Sequence, residues 1–193
     1  MKKLVLALLA TIGICGASCA NKGTDTDSAE KSITDKKALV AYFSATGTTA
    51  NVAKQIAEAT GGTLVEIAAD PAYTTEDLDW RNKQSRCSVN MATPGNRPAI
   101  KRVETNASDY DIVFIGYPIW WDLAPYEVYT YIDSASLDGK TVIPFATSGG
   151  STIDNSAADL KKTYPSVKWA DGKLFNGTDA KEVQEWAINV IKD

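Results

Sequence analysis

Lys37-Ala38-Leu39-Val40-Ala41-Tyr42-Phe43, followed at once by Ser44-Ala45-Thr46-Gly47-Thr48-Thr49, is the stretch that decides the fold. The first seven residues form a short, nearly continuous apolar run, as expected of a strand buried on both faces. The next six form a polar turn with four hydroxyls and one glycine. From Thr49 or Ala50 the period changes: Val52, Ala53, Ile56, Ala57 and Thr60 fall on one helical face, and Gly61-Gly62 stops it. A turn placed there offers free backbone N–H groups and the positive end of a helix to an anion. It lacks the lysine of a nucleoside-triphosphate loop. It therefore suits one terminal phosphate without a metal. An ordinary Ser/Thr turn with a helix cap is the other reading of the same residues.

The alternation continues outward from this unit. Thr63 to Ala68 reads as a second strand. Asp70 to Pro98 has no clear period and carries Pro71, Pro94, Gly95 and Pro98. Such a length without periodicity is either functional or ordered by packing. Within it Asp79 to Arg86 is expected to form a short helix, and Arg97-Pro98 to open another through about Asn106. Asp111 to Gly116 is the third strand. Pro125 starts a helix to about Ser134, with Val128, Tyr131 and Ile132 inward. Asp138-Gly139 marks a turn, and Lys140 to Ala146 is the fourth strand. A helix from about Thr152 to Tyr164 follows. Val167 to Leu174 is a weaker fifth strand, and Asp179 to Ile191 a closing helix. Strand and helix alternate five times without an internal repeat, which predicts a parallel sheet covered by helices on both faces. Ligands of such sheets sit beyond the carboxyl ends of the strands.

The first residues read as a targeting segment. Lys2 and Lys3 precede an apolar run from Leu4 to Ile14, and small residues follow around Gly16-Ala17-Ser18-Cys19-Ala20. That is the layout of a secretory signal, over 1–18. The run falls short of the ~20 apolar residues needed to span a bilayer. Ala17-Ser18-Cys19 resembles the end of a bacterial lipobox, with Cys19 lipidated, although Gly16 stands where leucine is usual. The alternative is that Ser18-Cys19-Ala20 offers small residues to an ordinary signal peptidase, which would release a periplasmic protein. The polar stretch that follows favours the lipoprotein. Residues 19–36 are polar and fit a flexible tether, which leaves 37–193 as one domain.

Composition excludes several functions. Without Lys2 and Lys3 the chain has 18 basic and 24 acidic residues, a net charge of −6. Such a surface repels nucleic acid and anionic membrane, so nucleic acid is not an expected partner, and the membrane would be reached only through an N-terminal lipid. No histidine is present. This removes Ser-His-Asp and Cys-His catalysis and every His-ligated metal site. Cys87 is the one cysteine of the domain and is read as a bystander. No residue is expected to be catalytic, and no metal is expected. Asp122 is the carboxylate to test, because it follows Trp120 and Trp121 directly.

Two further loops should share the carboxyl edge with the first. In Gly116 to Pro125, Trp120 and Trp121 are adjacent, so at most one is expected to pack fully inward while the other is free to stack on a flat ligand. In Thr147 to Ser151, paired glycines are flanked by hydroxyls. Ser44-x-Thr46-Gly47-x-Thr49 after a first strand resembles the phosphate loop of flavodoxins. Gly116-Tyr117-Pro118-Ile119-Trp120-Trp121 and Thr147-Ser148-Gly149-Gly150-Ser151 are similar to the two flavin-flanking loops of flavodoxin-like oxidoreductases. The resemblance covers about Lys37 to Ile191.

It implies a three-layer α/β sandwich with a five-stranded parallel sheet in the order 2-1-3-4-5, and FMN as cofactor. Ser44, Thr46, Gly47, Thr48 and Thr49 would hold the phosphate. Pro118, Ile119, Trp120 and Trp121 would flank the isoalloxazine, Trp120 packing on or beside it, with Ser148, Gly149 and Gly150 opposite. Many relatives have histidine where this chain has Ser148. The implied function is electron transfer or small-molecule flavin oxidoreduction, with a protein or a quinone as redox partner. Most relatives are cytoplasmic, and it is the export signal that would place this chain in the cell envelope. Reduced nicotinamide is not expected outside the inner membrane. The rival reading is an envelope binding module that kept the fold and lost the flavin.

Overall fold

The computed structural model describes residues 36–192. The expected signal segment, nearly all of the tether and Cys19 lie outside the described residues. Six strands and five helices follow one another: β1 (Ala38–Tyr42), α1 (Thr48–Thr60), β2 (Thr63–Glu66), α2 (Arg86–Ala92), β3 (Ile112–Pro118), α3 (Tyr126–Ser134), β4 (Thr141–Thr147), α4 (Asp154–Thr163), β5 (Lys168–Trp169), β6 (Lys173–Leu174) and α5 (Ala180–Val190).

The sheet is parallel throughout, in the order β2-β1-β3-β4-β5, with β6 also on β4. Alternation along the central strands feeds two cores. Val40, Phe114, Ile143 and Phe145 meet Val52, Ala53 and Ile56 of α1 and Val183 and Ala187 of α5. Leu39, Ala41, Val113, Ile115 and Val142 meet Val128 and Ile132 of α3 and Leu160 of α4 on the other face. Both faces are therefore apolar, which is why these strands read as continuous runs rather than alternating ones.

Three expectations are corrected. The fifth strand is two short pieces, Lys168–Trp169 and Lys173–Leu174. Pro144 of β4 has no N–H, and pairing jumps from Val142–Trp169 to Phe145–Lys173, so one extra residue bulges out on the outer side. The helix expected over Asp79 to Arg86 begins only at Arg86, capped by Ser85. Before it, Asp79 accepts from the backbone N–H of Arg81 at 3.1 Å and Asn82 from that of Gln84 at 2.9 Å. These side chains compete with helical pairing and hold turns instead. The helix expected from Arg97 to Asn106 is absent. Ile100 forms an antiparallel bridge to Ala69, with Asp70 N–H to Ala99 O at 2.9 Å and Lys101 N–H to Ala68 O at 2.7 Å. One 3₁₀ turn at Ala107–Asp109 is all that winds. The bridge closes the 70–98 segment into a loop whose base is pinned beside the sheet.

Candidate functional site

β1, β3 and β4 end at the same edge of the sheet, and the loops after them meet there. The loop after β1 enters α1 through Gly47, whose φ of +89° is open to glycine and strained for other residues. Gly47 N–H donates to Ser44 Oγ at 3.1 Å, which leaves the Ser44 hydroxyl proton free to be donated. No acidic residue lies in the first turn of α1, and no side chain caps it. Its first N–H groups thus keep their partial positive charge uncompensated.

The loop after β3 forms a two-residue hairpin: Trp120 and Leu123 exchange both backbone hydrogen bonds at 2.9 Å. Trp121 and Asp122 at its tip have φ of +45° and +67°, the pattern of a type I′ turn. A left-handed residue without glycine costs ~1–2 kcal/mol. The turn throws Trp121 outward, half exposed, while Trp120 is held inward, edge-on to Phe43 at 5.5 Å and to Tyr73 at 5.5 Å. Asp122 lines neither of the two cavities between the loops, and its carbonyl accepts from Asn155 at 3.2 Å.

The loop after β4 is closed on itself. Ser148 Oγ accepts from Gly150 N–H at 3.1 Å and Ser151 N–H at 2.8 Å, and Ser148 N–H donates to Asn176 Oδ1 at 2.8 Å. Thr49 and Thr147, both buried, join their hydroxyls at 2.9 Å. That bond ties the first loop to the third.

Between the loops lie two adjoining cavities. The smaller, about 410 Å³, is lined by Ser44, Thr46, Thr48 and Thr49 together with Ser148 and Asn176. The larger, about 700 Å³, is walled by Pro118, Ile119, Trp120 and Trp121, with Gly149 and Gly150 opposite. Ala45, Thr46, Pro118, Ile119, Trp120, Ser148 and Gly149 border both. Gly47 borders neither; its part is the turn itself. No lysine, arginine, aspartate or glutamate lines either cavity.

Sequence reasoning missed part of this site. Leu78, Trp80 and Cys87, all from the 70–98 loop, complete the larger cavity, and Asn176 and Gly177 complete the smaller. Cys87 is nearly fully buried in that wall, 3.4 Å from Ser85 Oγ. The aperiodic length of 70–98 was the one signal that pointed at it.

A doubly wound parallel sheet with a hydroxyl-lined pocket beside an aromatic cleft, at the carboxyl ends of its central strands, is the arrangement in which nucleotide-type cofactors are bound. The flavodoxin family model matches residues 37–190, and the chain belongs to that family. A chain described as a flavoprotein from Bacteroides eggerthii is 57% identical, with a TM-score of 0.77 and coverage of 82% of this chain and 99% of that one. Another from Bacteroides uniformis is 50% identical, TM-score 0.76, covering 78% and 97%. A Lactobacillus acidophilus flavoprotein in complex with FMN is 22% identical, TM-score 0.64, covering 79% and 99%. No curated protein matches the chain.

Proposed function

We propose that this protein binds FMN and passes electrons through it, as a carrier or a small oxidoreductase. The observation that carries this is the pairing of an uncompensated, hydroxyl-lined helix start with an uncharged aromatic cleft of about 700 Å³. The flavoprotein of Lactobacillus acidophilus holds FMN on the same fold. Bound FMN supplies one- and two-electron chemistry. The residues of this chain position it: Ser44, Thr46 and Thr48 donate to the phosphate, and the indole of Trp120 and the Ser148–Gly150 backbone enclose the ring. No lysine, arginine, aspartate or glutamate lines either cavity, so water would be the source of protons for a bound flavin.

The first test is colour, since a protein that retains FMN is yellow. A colourless protein that takes up no FMN on titration supports a binding module without flavin. The second test concerns Asp122. After anaerobic reduction with dithionite, reoxidation by a quinone is expected to be within a few-fold of wild type in Asp122→Asn. A loss of about 10²-fold or more, the scale of a missing general acid–base group, would make Asp122 catalytic and overturn this mechanism.

We also propose that the protein is anchored in the bacterial envelope by a lipid on Cys19. The small residues before Cys19 and the polar stretch after it support this. Mass spectrometry of the membrane fraction is expected to show a diacylated or triacylated Cys19 as the first residue. An unmodified chain beginning at Asn21 would favour a released periplasmic protein instead.

A further inference from the structure

The 70–98 loop forms the outer wall of the larger cavity, yet α2 is its one regular element. A directed chain of hydrogen bonds holds it. Asn96 Nδ2 donates to Asn90 Oδ1 at 3.1 Å, Asn90 Nδ2 to the Tyr73 hydroxyl at 2.8 Å, and that hydroxyl to Glu127 Oε1 at 2.6 Å. Every donor in the chain has one acceptor, and the last acceptor is a carboxyl of α3 with no exposure to solvent. Its other oxygen, Oε2, has no protein partner among the described residues.

An acid placed this way costs free energy. Burial is the main cause that holds its carboxyl above the usual range, with the Tyr73 hydrogen bond and the Arg86 charge pulling the other way. An apolar residue of similar size would fill the same space without that cost. The side-chain partner that Glu127 has is Tyr73.

Tyr73 is a junction. Its ring meets Trp120 edge-on at 5.5 Å and Phe43 at 6.2 Å. The Arg86 guanidinium lies 4.2 Å over its face and donates to Pro71 O at 2.7 Å. The tilt of Trp120 and the path of the 70–98 loop thus meet at one ring, whose hydroxyl is held between Asn90 and Glu127. We propose that Glu127 is a positioning residue for the flavin site, which through Tyr73 sets the tilt of Trp120 and moors the loop that carries Leu78, Trp80 and Cys87. The cofactor half of this rests on the FMN reading; the mooring half does not.

The experiment therefore has a flavin-free arm. Amide hydrogen exchange over residues 70–98 is followed in the apoprotein, and flavin emission is measured in the FMN-loaded protein. Glu127→Ala is expected to speed exchange across the loop by about 10-fold, the sign of a loosened local unit, and to brighten the flavin as Trp120 tilts away. Glu127→Gln keeps an acceptor oxygen for Tyr73 and is expected to restore both readings. Tyr73→Phe removes the hydroxyl alone and is expected to act like Glu127→Ala, which covers the case in which the alanine variant does not fold. Val183→Ala, in the opposite core, is expected to lower the melting temperature and leave both readings unchanged. Wild-type exchange in Tyr73→Phe and Glu127→Ala overturns the mooring, as does failure of Glu127→Gln to rescue. If exchange responds as expected and FMN does not bind, the flavin reading falls and the mooring stands.

Discussion

Riboflavin is expected to bind at least ~10²-fold more weakly than FMN, because it lacks the one group that the smaller cavity is built to hold. That cavity is lined by Ser44, Thr46, Thr48, Thr49, Ser148 and Asn176 and has no cationic side chain. Its attraction for a phosphate must come from hydroxyl protons and the first N–H groups of α1. Hydrogen bonds to a charged acceptor are worth ~1.5–3 kcal/mol each, and a helix N-terminus adds ~0.3–1 kcal/mol. Two such bonds lost together give at least about 3 kcal/mol, and each 1.4 kcal/mol is roughly ten-fold in affinity. Thr46→Val takes away one exposed hydroxyl and is expected to cost ~1–3 kcal/mol of FMN affinity with little change for riboflavin. Titration of the apoprotein with each flavin, followed by quenching of flavin emission, measures both. Equal affinities for FMN and riboflavin would sink the phosphate assignment, even if the ring still binds in the larger cavity.

The inner half of this site was legible in the sequence, and the outer half was not, for a physical reason. Runs such as Ile112 to Gly116 announce strands because both faces of the sheet are covered, so every side chain must be apolar. Loops that follow those strands inherit a known position, and hydroxyls and glycines in them then acquire meaning. Residues 70–98 obey no period because side chains hold them, not the backbone ladder. Asp79, Asn82 and Ser85 each satisfy a nearby N–H, and Tyr73, Asn90 and Asn96 reach a buried acid far along the chain. A tertiary partner such as Glu127, 54 positions from Tyr73, leaves no local trace in the sequence. The hairpin at Trp120–Leu123 was hidden differently. Type I′ turns are normally betrayed by Asn-Gly or Gly-Gly, and here the tip is Trp121-Asp122, which takes left-handed backbone at a cost. Strain of that kind collects at functional sites, and this tip sets an indole at the mouth of the larger cavity.

Gly116→Ala is expected to be among the most destabilising single-methyl changes in the protein, although glycine in a strand is ordinarily the weaker choice. Gly116 pairs in register with Phe145 on the neighbouring strand, and the two project onto the same face. A Cβ on Gly116 would lie 2.1 Å from Phe145 Cζ and 2.4 Å from Cε2. The Phe145 ring has no solvent exposure and is enclosed by Phe114, Ile143 and Phe175. A rigid ring in a close-packed core has no free rotamer to move into. The displacement must be taken up by the strands themselves, at the point where β3 runs into Pro118, Ile119 and Trp120. Overpacking costs ~1–3 kcal/mol and sometimes more; contacts this short put Gly116→Ala at about 3 kcal/mol. For a domain of this size that is a fall of roughly 6–12 °C in melting temperature. FMN affinity should drop with it, since the loop after β3 is displaced. The cause can be isolated by a double-mutant cycle with Phe145→Leu, a smaller side chain at the same register position. If the ring is the obstacle, Gly116→Ala should cost less than about 1 kcal/mol in that background, giving a coupling energy near 2 kcal/mol. An equal cost in both backgrounds would show that the backbone conformation of residue 116, and not the neighbouring ring, demands glycine.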